Sequence, residues 1–241
     1  MISSQNNITF KKLKKIVKSS KYRNLYKEFL VFGKHSIEEA IKKKIVKKIY
    51  GIDNNKNNIL IKKKLLKELH PNKTFFPQIA LCSIIQKKII SSKILILDEI
   101  QDPGNIGNIL RSACAFGFKH VFLSHKSVDL YHEKIIRTSQ GAFFNLFLEK
   151  GNAYNFLISM KKQKYIVFSA CVCEKNINLN KIDNIFLNKN KKRILILGNE
   201  GNGISDLIKK NSDFFLNIDI SKKIESLNVS AAGSILMYIL K

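Results

Sequence analysis

Two apolar runs, Ile94 to Leu97 and Ile194 to Leu197, each give way to a polar, glycine-bearing turn with a helical pattern behind it. This strand–turn–helix unit constrains the fold more than any other feature. A strand that is apolar at every position has to be covered on both faces, which alternating strands and helices achieve with a mostly parallel sheet. Periodicity continues the pattern with strands over 121–123, 166–170 and 214–218, and with 143–148 extended. Helices fall over 106–116, closed by Gly117, and over 131–138, 153–162, 204–210 and 227–240. In such sheets ligands collect beyond the carboxyl ends of the strands.

The first ninety residues are less regular. A lysine-rich amphipathic helix is predicted over 9–28, a buried strand over 28–32 closed by Gly33, helical spacing through Ile37, Ala40 and Ile41, and a strand over 45–50. A polar loop spans 53–58, a further lysine-rich helix 59–69, and Pro71 and Pro77 break the next stretch. Residues 83–93 carry no clear signal, and a boundary near residue 90 divides the 241 residues into domains 1–90 and 91–241. No run approaches the roughly 18 apolar residues of a membrane span, and the first residues lack a secretory apolar core. The four cysteines, at 82, 114, 171 and 173, have neither zinc-finger spacing nor a CxxC pair, so a reduced cytoplasmic protein without a metal is expected.

Formal net charge is +25, which points to a polyanionic partner. AT-rich coding accounts for the same lysine, asparagine and isoleucine excess, so charge leaves both accounts open. Only four arginines survive among the lysines: 23, 111, 137 and 193. Arginine supplies a planar bidentate fork that lysine cannot, which singles out Arg111 and Arg137.

Three loops carry the chemistry. In Asp98 to Arg111, Pro103 and Gly104 set a turn, Gly107 permits close backbone approach, and Asn105 is placed to cap the helix that Arg111 continues. In Leu197 to Ile204, three glycines within six positions suit a backbone that approaches a cofactor. Glu200, read as lying at a helix N-terminus, would repel a pyrophosphate there, so a zwitterionic or cationic ligand fits better. In Glu225 to Gly233, Ser226 or Asn228 is placed to cap the last helix, and the small residues 230–234 mark a tightly packed face.

Taken together, these loops resemble the motifs of the SpoU (TrmH-like) RNA ribose 2′-O-methyltransferases of the SPOUT superfamily. The first motif, Asp-Pro-x-Asn-x-Gly-x-x-x-Arg, matches Asp102, Pro103, Asn105, Gly107 and Arg111. The second, Gly-x-Glu-Gly-x-Gly, matches Gly198, Glu200, Gly201 and Gly203, and the third, Ser-Leu-Asn-Val-Ser, is Ser226 to Ser230. Arg137 to Ala142 is similar to the family's Ser-x-Gly-Ala segment, and Tyr22-Arg23 with Phe29 to Ala40 to its L30e-like substrate-binding domain. Two departures stand out. Ile218-Asp219-Ile220 replaces a usual Ile-Pro-Met, and a proline usual after the Ser-x-Gly-Ala segment is missing.

The resemblance implies an α/β fold whose C-terminal SPOUT domain ties a deep trefoil knot around a mostly parallel sheet, preceded by a small L30e-like α/β domain. It implies S-adenosylmethionine as cofactor, held by Leu197, Gly198, Glu200, Gly203, Ile218, Ile220, Ser226, Leu227 and Asn228. Arg111, Asn105, Glu200 and Asn228 would be catalytic, and Arg23, Arg137 and Ser139 would contact the RNA. The partners implied are rRNA or tRNA and a second copy of the chain, with no membrane and no metal. Two other readings stay open: a Rossmann-like nucleotide-binding enzyme using the 198–203 glycines, and a catalytically silent RNA-binding protein.

Overall fold

The computed structural model describes residues 1–53, 58–71, 74–85, 88–171, 176–178 and 191–241. Cys173 and most of the predicted 53–58 loop lie outside the described residues. The chain forms two compact units, one of residues 1–86 with 131–144, the other of residues 87–130 with 145–241. The excursion of 131–144 into the first unit has no counterpart in a single cut near residue 90.

In the first unit α1 (Ile8–Lys18) and α2 (Ser20–Tyr26) replace the single predicted helix, broken at Ser19 in an extended conformation. Strands β1 (Glu28–Phe32), β2 (Val46–Gly51), β3 (Asn58–Leu60) and β4 (Gln78–Ser83) make a sheet of order β1-β4-β2-β3. Strand β4 is antiparallel to both neighbours, β1 and β2, and β3 pairs parallel to β2. Helices α3 (Lys34–Lys42) and α4 (Lys63–Glu68) complete it, and the helix predicted over 59–69 is strand β3 followed by the shorter α4. The segment 131–144 brings α6 (Glu133–Thr138) and sets Tyr131 and Phe143 against Phe29 at 4.9 and 6.0 Å between ring centres.

The second unit is built on a parallel sheet. Its strands are β5 (Lys93–Leu97), β6 (His120–Ser124), β7 (Phe147–Gly151), β8 (Ile166–Ala170), β9 (Asn176–Asn178), β10 (Arg193–Leu197) and β11 (Phe214–Asn217). Their order is β7-β6-β5-β10-β8-β11-β9, and every pairing is parallel. The two long apolar runs of the sequence are therefore the adjacent strands β5 and β10, in register from Arg193 beside Lys93 to Leu197 beside Leu97. Both are buried along their apolar length, as strands covered on two faces must be.

Helix α5 (Pro103–Phe116) comes after β5. Its N-cap is Asp102, whose carboxylate accepts the Asn105 N–H at 3.0 Å, and Pro103 occupies the first helical position, where a missing N–H costs nothing. Gly117 ends it at φ 81°, a left-handed conformation that glycine adopts without strain. Helix α7 (Ala153–Lys162) precedes β8, α8 (Asp206–Lys210) succeeds β10, and α9 (Val229–Ile239) closes the chain. Helix α9 packs on α5, with Ser112 and Ser234 hydroxyls 2.7 Å apart. Gly233 faces Leu197 so closely that a Cβ would stand 2.5 Å from the leucine methyl, which accounts for the small-residue face over 230–234.

Candidate active site

Because β5 and β10 are neighbours in register, the loops after them leave the sheet side by side although about a hundred residues separate them in sequence. The β10 loop folds back on itself, with Asn199 and Gly203 exchanging backbone hydrogen bonds at 2.9 and 3.0 Å. The Asn199 carboxamide holds this turn, its Oδ1 accepting from the Gly201 and Asn202 amides and its Nδ2 donating to the Glu99 carbonyl of the β5 loop. Asp98 adds a second tie by accepting the Ser205 N–H at 2.9 Å. A Cβ on Gly198 would lie 2.3 Å from the Gly203 carbonyl carbon, so only glycine permits this fold-back.

A hydrogen-bonded chain joins all three predicted loops. Asn228 Nδ2 donates to Asn105 Oδ1 at 3.1 Å, and Asn105 Nδ2 donates to Glu200 Oε1 at 3.0 Å. The ends of the chain fix its direction. Asn228 Oδ1 accepts from the Ser230 backbone N–H, which can only donate, and at the other end Glu200 Oε1 is the acceptor. Both amides are thus held in one orientation.

Beside this chain lies a cavity of about 560 Å³, within the range of small-molecule sites. Leu197 to Ile204 form one wall, Leu216, Asn217, Ile218 and Ile220 a second, and Glu225 to Val229 a third. Every residue expected to hold a cofactor lies on these walls, Leu197, Gly198, Glu200, Gly203, Ile218, Ile220, Ser226, Leu227 and Asn228. Sequence reasoning missed Ala170, Cys171, Lys209 and Asn217, which also line it. Strand-end position was the available signal for Ala170, Cys171 and Asn217.

Several sequence readings require correction. Asp102, not Asn105, caps α5, which leaves the Asn105 carboxamide for Glu200 and Asn228. Pro103, Gly104 and Gly107 belong to the helix, and both glycines are buried in it. The helix after β10 begins at Asp206, so Glu200 lies in the preceding turn and not at a helix N-terminus. Asn228 does cap α9, with its amide nitrogen still donating to Asn105. Arg111 stands exposed on α5 and, among the described residues, makes no hydrogen bond or ion pair with the chain that joins Asn105, Glu200 and Asn228.

The three expected RNA contacts all lie in the first unit. Arg23 is 7% exposed and donates through Nη1 to the Ile16 and Val17 carbonyls at 2.7 and 3.0 Å. That one nitrogen satisfies two carbonyls at the open end of α1. Ser139 is fully buried, donating to the Ile136 carbonyl and accepting from the Phe143 N–H. Arg137 is half-buried on α6, 3.5 Å from Glu133 one turn earlier. The fourth arginine, Arg193, is buried and donates to the Leu240 carbonyl. Among the described residues no cluster of three His, Cys, Asp or Glu side chains is placed to hold a metal, and no helix is long and apolar enough to cross a membrane.

A parallel α/β unit whose neighbouring strand-end loops enclose a cavity is a small-ligand site of the kind α/β enzymes use. The chain belongs to the SpoU rRNA Methylase family, whose model matches residues 92–238. An uncharacterized tRNA/rRNA methyltransferase of Borreliella burgdorferi is 39% identical over 158 residues, 64% of this chain and 66% of that protein. The Bacillus subtilis 23S rRNA (guanosine(2553)-2′-O)-methyltransferase RlmP is 28% identical across 100% of this chain and 98% of its own. Among solved structures, a putative RNA methyltransferase of the TrmH family from Porphyromonas gingivalis has a TM-score of 0.84 at 26% identity, covering 99% of both chains. The AdoMet-bound rRNA methyltransferase of Sinorhizobium meliloti shares the fold at a TM-score of 0.86 and 19% identity, over 99% of this chain and 96% of its own.

Proposed function

We propose that the protein is a cytoplasmic enzyme that transfers a methyl group from S-adenosylmethionine to a ribose 2′-OH of rRNA or tRNA. The observation that carries this reading is the Asn228–Asn105–Glu200 chain beside the cavity, which joins the three family motifs. The relatives' names agree with it, since RlmP is a 2′-O-methyltransferase of rRNA. The cavity also suits the cofactor chemically. Gly198 clears the backbone for close approach, and leucines and isoleucines from β10, β11 and the loop after it supply an apolar bed for an adenine ring.

When bound, S-adenosylmethionine supplies a methyl group on a sulfonium centre. The residues of this chain have two tasks: to orient a hydroxyl in line with that methyl, and to stabilise the charge that develops as the hydroxyl loses its proton. Asn105, locked by its two partners, is the orienting group. Arg111 is the electrostatic group, because a guanidinium stays protonated and donates to a developing alkoxide or to a neighbouring phosphate. Its exposure and lack of partners among the described residues leave its fork available.

The finer architecture follows the family resemblance. We read the first unit as an L30e-like RNA-binding domain and the second as a trefoil-knotted SPOUT domain. The insertion of late strands β10 and β11 between earlier ones supports the second reading. Homodimerisation is supported by the exposed Ile235 and Tyr238 on α9 and is tested by light scattering in solution. Mapping 2′-O-methyl groups in RNA incubated with protein and cofactor tests the reaction. Arg111→Lys is expected to lower turnover by at least about tenfold, or roughly 1.4 kcal/mol of barrier, with RNA affinity little changed. Full turnover in that variant would remove Arg111 from the mechanism.

A further inference from the structure

The cavity reverses the charge pattern of the chain that builds it. The sequence holds 43 lysines and arginines against 18 acidic residues. The charged side chains lining the cavity are two carboxylates, Glu200 and Glu225, and one ammonium, Lys209. Glu200 is engaged by Asn105. Among the described residues, the side chains of Glu225 and Lys209 make no hydrogen bond or ion pair, with each other or with anything else. They come from separate elements, Lys209 from α8 and Glu225 from the turn before α9.

Two opposite charges on one cavity lining, each without a partner among the described residues, match a ligand that carries one charge of each sign. A phosphate-bearing ligand would use the ammonium and be repelled by both carboxylates. A neutral nucleoside would leave both charges idle. A zwitterionic amino acid uses both, since an ammonium is a point charge with three donors and a carboxylate accepts from several directions.

We infer that Lys209 and Glu225 bind the amino acid end of S-adenosylmethionine, Lys209 taking its α-carboxylate and Glu225 its α-ammonium. This rests on the cofactor reading above and adds residues that none of the three motifs contains. Full charge bookkeeping agrees with it. The lining carries two negative charges and one positive, and the ligand carries a sulfonium, an ammonium and a carboxylate.

Calorimetric titration of the full chain with three ligands tests the inference without a turnover assay. S-Adenosylmethionine has both charged groups of the tail, its decarboxylated form lacks the carboxylate, and 5′-methylthioadenosine lacks the whole tail. The unmodified protein is expected to prefer S-adenosylmethionine over the decarboxylated form by roughly five- to tenfold, the range of a partly exposed charge-assisted contact. Lys209→Met should abolish or reverse that preference, because the carboxylates remain, while Lys209→Arg retains it. Glu225→Gln should weaken both ligands that carry the ammonium and leave 5′-methylthioadenosine unchanged. Equal binding of the first two ligands by the unmodified protein would overturn the inference. So would a Lys209→Met variant that weakens all three ligands by one factor, which is the signature of a role in folding. Failure of the unmodified protein to bind any of the three would instead remove the cofactor reading itself.

Discussion

At the scale of single residues, the informative group is Asn228, which performs two tasks with one carboxamide. Its oxygen caps α9 through the Ser230 N–H, and its nitrogen orients Asn105. Substitution separates the two. Asn228→Asp keeps a good cap, since aspartate and asparagine serve that position equally. It also sets a second acceptor against Asn105 Oδ1. Asn105 can relieve this by flipping its amide, but the flip turns its oxygen toward Glu200, so one acceptor pair stays opposed. Asn228→Asp is therefore expected to leave the melting temperature nearly unchanged and to lower methyl transfer about tenfold. Asn228→Ala should lower both, with a stability loss of about 1 kcal/mol from the cap. Thermal melts and initial rates on the two variants check this, and equal melting losses would refute the division of labour.

At the scale of elements, His70, just beyond α4, gives the first unit a pH dependence. Its ring lies against Phe32, Phe75 and Phe76, with Nδ1 donating to the Leu66 carbonyl at 2.8 Å and Nε2 accepting the Phe76 N–H at 3.0 Å. That geometry requires the neutral ring, and burial pushes the pKa below its ordinary 6.5. The unfolded chain therefore takes up a proton that the folded one refuses. Stability is fully present above the ordinary value and falls as pH drops from about 6.5 toward the depressed pKa. Urea midpoints at pH 7.5 and 5.5 should show this fall in the unmodified protein. A smaller fall is expected in His70→Gln, whose amide can make both hydrogen bonds without titrating. An identical fall in both proteins would exclude His70 as its source. Elements were readable from the sequence wherever one physical signal dominated. Uniform apolarity marked β5 and β10, and it correctly implied a parallel sheet covered on both faces. Strand β4 was not readable, because Pro77 precedes it and Ala80 lacks the branched or aromatic side chain that marks a strand. Its pairing partners β1 and β2, one on either side, are distant in sequence. Asp102 was hidden as a cap because Asn105 is equally suited to capping, and only the helix start at Pro103 decides between them. The three loops of the site were visible as motifs, whereas Lys209 was not, since a lysine among 43 basic residues carries no signal.

At the scale of the whole molecule, the open question is whether the net charge of +25 serves RNA binding or reflects coding bias. The two accounts separate on placement. Helices α1 and α2 carry no acidic residue between Ile8 and Lys27, and their lysines lie over aromatic rings, Lys15 Nζ 5.2 Å from the Tyr22 centre and Lys12 Nζ 4.8 Å from that of Tyr26. Those two rings are themselves stacked at 6.1 Å. Basic side chains interleaved with aromatic faces suit a phosphodiester backbone and its bases, through charge and stacking together. Lys15, Lys18 and Lys21 are exposed, so exchanging all three for glutamine removes charge without disturbing the core. If each neutralises one phosphate, the slope of log affinity against log salt should become shallower by roughly two to three, at about 0.7 to 0.9 per contact. Melting temperature should hold, because exposed lysines contribute little to stability. A slope unchanged by the triple exchange would assign these lysines to coding bias and move the search for the RNA-binding face to other lysines, such as those of 42–48.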